Sequence, residues 1–213
     1  MCIRDRTKIV FLATPNNPTG TSVSTADIET LIRQIPDDVI VVIDEAYREF
    51  NHPRFGDPVH DLLPRFRNVV VTRTFSKAYG LAGLRTGYGI GEPEVISMID
   101  RVRLAFSVNN LAQAATLAAI EHSSENRSRV DKLITERARM ESTLSELGAP
   151  VVAGHANFVF LATGDKSEKM ALDLETRGVV VRPFPELGIR ITIGDVAEND
   201  RVISAVRELL DGS

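Results

Sequence analysis

The chain has 213 residues, 43% hydrophobic and 25% charged, enough to bury a sizeable core as one large domain or two small ones. Its net charge of −4 comes from intermixed acids and bases, so no basic stripe is offered to a nucleic-acid backbone and nucleic acid is not an expected partner. The single cysteine, Cys2, permits no intrachain disulfide and no cysteine-based metal site, and a reducing cytoplasm is the expected setting.

Met1 to Arg6 is a short polar and charged stretch running straight into a strand-like segment. It reads as a truncated frame, a junction or a disordered tip, and is set aside from the fold. Lys8 to Thr14, Val39 to Ile43, Asn68 to Thr72 and Thr86 to Ile90 are apolar runs rich in Val and Ile, expected to be strands buried on both faces. Such runs are far too short to span a membrane, and the N-terminus lacks the apolar core of a signal peptide.

Between the first two strands, Ser24 to Ile35 carries Ile28, Leu31, Ile32 and Ile35 at helical spacing, with Ser24 and Asp27 as a capping pair. Glu94 to Leu104, Leu111 to Ile120 and Ser124 to Leu147 read as helices, the last linking two domains. The final third alternates again: a strand over Asn157 to Ala162, a helix over Ser167 to Arg177, strands over Val179 to Arg182 and Ile189 to Ile193, and a helix over Glu198 to Leu210. The expected class is therefore α/β, with residues 1–122 forming part of a large domain and 123–213 a small C-terminal one.

Chemistry in such sheets collects at the carboxyl ends of the strands, where three segments stand out. They are Thr14-Pro-Asn-Asn-Pro-Thr-Gly20, Asp44-Glu-Ala-Tyr47, and Thr72-Arg-Thr-Phe-Ser-Lys-Ala-Tyr-Gly-Leu-Ala-Gly-Leu-Arg85. Lys77 lies among small residues and hydroxyls just past a buried strand. Desolvation and neighbouring positive charge keep a lysine amine neutral and nucleophilic. A strand-end lysine is more often solvated surface, and it is the surrounding segment that reverses this reading. Thr74, Ser76 and Arg85 supply two hydroxyls and a guanidinium suited to phosphate oxygens, or alternatively a turn with a surface charge. Gly80, Ala82 and Gly83 fit a tight loop with close backbone approach. Asp44 is expected in a partly desolvated place at the sheet edge, as a functional carboxylate or a helix cap, and Asn17 is alternatively a turn initiator. Arg190, inside the apolar strand Gly188-Ile-Arg-Ile-Thr-Ile-Gly194, needs an anionic partner, either a ligand or a local acid; Arg182 is a second candidate. His52, His60, His122 and His155 show no metal-ligand spacing, and no metal is expected.

Taken together, and from about Thr7 onward, these segments resemble the fold-type I aminotransferases that use pyridoxal 5′-phosphate. The resemblance implies that the cofactor is joined to Lys77, which then moves protons between substrate and cofactor. Asp44 would hold the pyridine nitrogen protonated, Tyr47 and Asn17 would donate to the phenolic oxygen, and Thr74, Ser76 and Arg85 would hold the phosphate. Arg190 and Arg182 would bind a substrate carboxylate or phosphate. Within the superfamily, the Lys77 segment, Asp44-Glu-Ala-Tyr47 and Ser107-Val-Asn-Asn-Leu-Ala-Gln-Ala114 look most like histidinol-phosphate aminotransferase. That family exchanges an amino group between histidinol phosphate and glutamate in histidine biosynthesis. Aromatic amino-acid aminotransferases have near-identical motifs, and a phosphothreonine decarboxylase shares the fold. A non-catalytic, cofactor-binding module is the alternative from another class, disfavoured by the intact Asn17, Asp44, Tyr47, Lys77 and Arg85 set. The expected partners are a small-molecule amino donor and an oxo-acid acceptor, with a homodimer when full length. Family members also have a preceding half that completes the pocket, so this chain reads as a fragment expected to be inactive alone.

Overall fold

The computed structural model describes residues 6–211, so all of the Met1–Arg6 stretch except Arg6 lies outside the described residues. The chain forms two compact units. The residues up to Pro15 join Ser22–Arg127 in the first, and Asn16–Thr21 join the residues from Ser128 onward in the second.

The first unit carries β1 (Ile9–Ala13), α1 (Thr25–Ile32), β2 (Ile40–Asp44), α2 (Pro58–Asp61), β3 (Val69–Thr74), β4 (Gly87–Gly91), α3 (Pro93–Val102) and α4 (Asn110–Glu121). Its sheet has the order β1-β2-β3-β4. The first three strands are parallel, with Ala13 opposite Asp44 and Asp44 opposite Thr72, so their carboxyl ends share one edge. β4 returns antiparallel to β3, with Thr74 opposite Gly87.

The crossover helix α1 starts where Ser24 accepts the Asp27 amide and donates to the Asp27 carboxylate at 2.5 Å. This satisfies donors that a helix start leaves open. Its Ile28 and Ile32, with Ile35, bury against Val39, Val41, Ile43, Leu62, Val69 and Val71. Each such side chain contributes about 1.5–3 kcal/mol on burial.

The expectation of strands buried on both faces holds for Val69 to Val71 of β3; on β2 Val41 and Ile43 are buried while Ile40 and Val42 on the opposite face are only partly so, and the expectation fails at the edges. On β1, Val10 and Leu12 pack on the core while Ile9 and Phe11, on the opposite face, are exposed. β4 is an edge strand whose three glycines leave little apolar surface to bury, and its Tyr88 is exposed. Helices α3 and α4 form as expected, yet Met98, Ile99, Val102, Leu111, Leu117 and Ile120 on them are exposed, as are Leu104 and Phe106 between them.

The helix α5 (Ser123–Glu146) carries the chain into the second unit. There follow β5 (Val151–Val152), β6 (Phe158–Leu161), α6 (Ser167–Glu175), β7 (Arg182–Phe184), β8 (Gly188–Thr192) and α7 (Val196–Asp211). The sheet order is β5-β6-β8-β7, antiparallel throughout. Met140 and Leu144 of α5, Val159 and Leu161 of β6, Leu174 of α6, Ile189 and Ile191 of β8, and Ile203 and Val206 of α7 form its core.

One strand is displaced from its expected place. Val179 to Arg182 was the expected span, but β7 begins only at Arg182. Gly178, with φ +75°, turns the chain out of α6, and the Val179 amide closes back on the Leu174 carbonyl at 3.0 Å. Residues 179–181 thus serve as a helix exit, in which Val179 fills the core and Val180 faces solvent. Among the described residues, no helix is long and apolar enough to cross a membrane.

Candidate functional site

Within the first unit, the carboxyl ends of β2 and β3 open onto a cleft of about 430 Å³ lined by Asp44, Thr74, Ser76, Lys77, Arg85 and Thr86, among others. Asp44 and Thr74 are the last residues of their strands, which places them on the rim. The Thr74 hydroxyl donates to the Ser76 hydroxyl at 2.9 Å and accepts the Ser76 amide at 3.1 Å, so the two oxygens lie side by side. The following turn is closed by the Gly80 amide on the Lys77 carbonyl at 3.0 Å, and φ of +70° at Gly80 is a conformation that favours glycine. A Cβ built at Gly80 or Gly83 would meet nothing within 4 Å, so close backbone approach is not what these glycines provide here. Arg85 enters β4 with φ +54° and donates to the Ala82 carbonyl at 2.7 Å, which leaves most of its fork available.

The Lys77 ammonium lies 5.5 Å from the centroid of the buried Tyr47 ring. Asp44 accepts the Ala46 amide through one oxygen at 3.0 Å, realising a cap-like contact while keeping a second oxygen. Both Asp44 and Lys77 are exposed, contrary to the expected desolvation: the parallel sheet brings them to its edge, and the cleft over that edge is open.

The second unit gathers the other expected residues. Asn17 accepts from the Arg190 guanidinium at 2.6 Å, across 173 positions of sequence. Arg190 stands opposite Arg182 in the β7–β8 pairing, and their guanidinium carbons lie 5.9 Å and 5.7 Å from the centroid of one ring, Phe184. Arg190 also sits 5.1 Å over Phe158. Like charges directly opposite on paired strands repel, and among the described residues neither arginine has a carboxylate within ion-pair distance. The competing expectation of a local acid for Arg190 is therefore not met. Its Nε is buried and makes no hydrogen bond.

A charge cluster in the first unit was not anticipated from sequence. Glu45, 2% exposed, accepts from Arg73 at 2.8 Å, and Arg73 also reaches Asp57 at 2.7 Å. Arg48 completes the ring, 2.9 Å from Asp57 and 3.6 Å from Glu45. Burial pushes the Glu45 carboxyl up from its ordinary value against the opposing pull of Arg73 and Arg48. Burial works against the Arg73 charge too, but the Glu45 and Asp57 carboxylates more than reverse this and hold it protonated. Burial also acts to raise Asp57, and is outweighed by hydrogen bonds from Arg48 and the Val59 amide together with the two guanidinium charges. The available sequence signal was the placement of Glu45 and Arg73 in or beside apolar strands, where a charge needs a partner.

Comparison with known proteins identifies the family. Residues 2–206 match the family described as aminotransferase class I and II. The aromatic amino acid aminotransferase of Rhodococcus opacus is 45% identical over 202 residues, covering 95% of this chain and 56% of that protein. Its counterpart from Cutibacterium acnes is 43% identical over 210 residues, covering 99% and 60%. The crystal structure of histidinol-phosphate aminotransferase from Sinorhizobium meliloti in complex with pyridoxal-5′-phosphate superimposes with a TM-score of 0.84 at 29% identity, covering 96% of this chain and 57% of that one. The chain thus spans somewhat more than half the length of these relatives. With nearly its whole length matched, it belongs to the class I and II aminotransferases.

Proposed function

We propose that this chain carries the cofactor lysine and the substrate arginines of a pyridoxal phosphate-dependent aminotransferase that acts on an aromatic amino acid and a 2-oxo acid. The observation that carries the reading is the single cleft shared by Lys77, Asp44, Thr74, Ser76 and Arg85. Its donor set fits the cofactor: adjacent hydroxyls and a guanidinium suit a phosphate dianion, an amine suits an aldehyde, and a carboxylate suits a protonated pyridine nitrogen. When bound, the cofactor supplies an electron sink for the bond breaking at the substrate α-carbon.

The chain's own residues divide the remaining work. Thr74, Ser76 and Arg85 would hold the phosphate, and Asp44 would keep the ring nitrogen protonated. Lys77 would be the amine that holds the cofactor's aldehyde, and it would hold and move the proton at the substrate α-carbon. Tyr47, whose ring centroid lies 5.5 Å from the Lys77 amine, would donate to the phenolic oxygen, a role the family resemblance also gives Asn17. Arg190 forks a substrate carboxylate while Phe158 and Phe184 flank the guanidinium. The division at residues 122 and 123, a cytoplasmic setting and a homodimeric whole protein belong to the same proposal. So does the reading that the chain alone, with its cleft open to solvent, does not sustain ordinary turnover.

The sequence motifs favour histidinol phosphate, whereas the more similar curated relatives carry the aromatic name and support the aromatic substrate. One observation favours the phosphate reading as a second possibility: Arg182 and Arg190 stand on paired positions without acids, and two guanidiniums suit a dianion better than a carboxylate. Glutamate labelled on its amino nitrogen, offered with an aromatic 2-oxo acid or with the keto form of histidinol phosphate to the whole protein containing this sequence, tests both readings. Label appearing in an aromatic amino acid supports the first, and label in histidinol phosphate supports the second. Carbon dioxide release with no labelled amine would refute transamination.

A further inference from the structure

The rim of the cleft is held from below by charge. Glu45 directly follows Asp44, and Arg73 directly precedes Thr74, so the ion pair joins the two strand ends that carry the rim residues. Successive side chains on a strand point to opposite sides, which turns Glu45 away from its neighbour Asp44 and into the protein, where it is 2% exposed. The backbone is tied at the same place, with the Glu45 amide donating to the Thr72 carbonyl at 2.9 Å. Arg73 then reaches Asp57, which caps the start of α2 by accepting the Val59 amide at 3.0 Å. One guanidinium therefore bridges the end of β2, the end of β3 and the start of α2.

We propose that Arg73 is a positioning residue: by forking between Glu45 and Asp57 it sets the spacing between Asp44 and the Thr74–Lys77 turn, and so the fit of the cofactor. The inference rests on the reading of Lys77 as the cofactor lysine. A lysine at position 73 keeps the charge but cannot bridge two carboxylates with a rigid planar fork. The Arg48 guanidinium does not substitute, since it approaches Glu45 only to 3.6 Å.

The test uses the full chain and its Arg73→Lys and Glu45→Gln variants, with Ile32→Ala as a destabilised control in the core behind α1, away from the cleft lining. Three quantities are read: the melting temperature without cofactor, the dissociation constant for pyridoxal phosphate, and the visible absorption band of the bound cofactor, which reports the protonation and surroundings of its linkage to Lys77. Both network variants are expected to weaken cofactor binding by about tenfold or more and to shift the band, because small misplacements at a site are costly. Ile32→Ala is expected to lower the melting temperature with little change in the dissociation constant and none in the band. Network variants that bind as the parent does and leave the band in place would overturn the inference, as would a control that loses binding in proportion to its melting temperature. A parent chain that leaves Lys77 unmodified after cofactor addition and borohydride reduction would sink the cofactor reading itself, and the positioning role with it.

Discussion

The two units bury their apolar residues very differently. The second packs one face of an antiparallel sheet on α5, α6 and α7, and only Leu172, Val180, Leu187 and Val196 are left as exposed large hydrophobics among its described residues. The first packs one face of a mainly parallel sheet on α1 and leaves Phe11, Met98, Val102, Leu104, Phe106, Leu111 and others in solvent. Their charges differ in the same sense. The first unit keeps an internally neutralised cluster beneath its cleft, whereas the second presents two arginines with no acid. One unit thus completes its core and leaves two guanidiniums without an acid partner among the described residues, while the other satisfies its buried charge and leaves apolar surface uncovered.

The sharpest way to break this contrast is to cut into each side of it. Leu161, fully buried in the second unit, should cost about 2–5 kcal/mol on Leu161→Ala, through lost transfer energy and the cavity left behind. Phe106, 98% exposed, should change stability by no more than about 0.5 kcal/mol on Phe106→Ser. Denaturant midpoints measure both. A comparable cost at Phe106 would mean that the first unit's apolar face is covered in solution.

The next effect concerns the charge that the second unit leaves unpaired. Arg190→Lys should raise the KM for an anionic substrate by roughly 10- to 100-fold, the equivalent of losing about 1.5–3 kcal/mol of charged hydrogen bonding. Steady-state kinetics on the whole protein would show it. An unchanged KM would assign Arg190 to holding Asn17 alone.

How far these contrasts were legible in the sequence varied with the range of the interaction. The α1 cap was readable because Ser24 and Asp27 are local partners, and the central strands because Val and Ile runs carry their own signal. The edge position of β4 was not readable, since Gly87-Tyr-Gly-Ile-Gly91 looks like any short strand until its neighbours are known. The late start of β7 depended on a helix exit at Gly178 that a run of three valines disguised. At the site, the Lys77 segment, Asp44 and Arg190 stood out by residue type. The Glu45–Arg73 pair did not, because its members are 28 positions apart and each looks like an ordinary charge beside a strand.

A smaller effect sharpens the comparison at the buried cluster. Burial raises the folded-state pKa of Glu45 above its ordinary 4.5, so this group's contribution to stability is full below 4.5 and is lost as the pH rises through the raised value. Glu45→Gln cannot lose it. Relative to the variant, the parent chain should therefore lose stability as the pH climbs from 4.5 toward neutrality, as read by chemical denaturation at several pH values. A parent that gains on the variant over that window would reverse the sign and show that the arginines, not burial, dominate at Glu45.

The most direct test of the whole account is chemical. The purified chain is mixed with pyridoxal phosphate, reduced with borohydride and mapped by mass spectrometry beside Lys77→Ala. The account predicts modification confined to Lys77 and absent from the variant. Modification scattered over the surface lysines, or unchanged in Lys77→Ala, would contradict it.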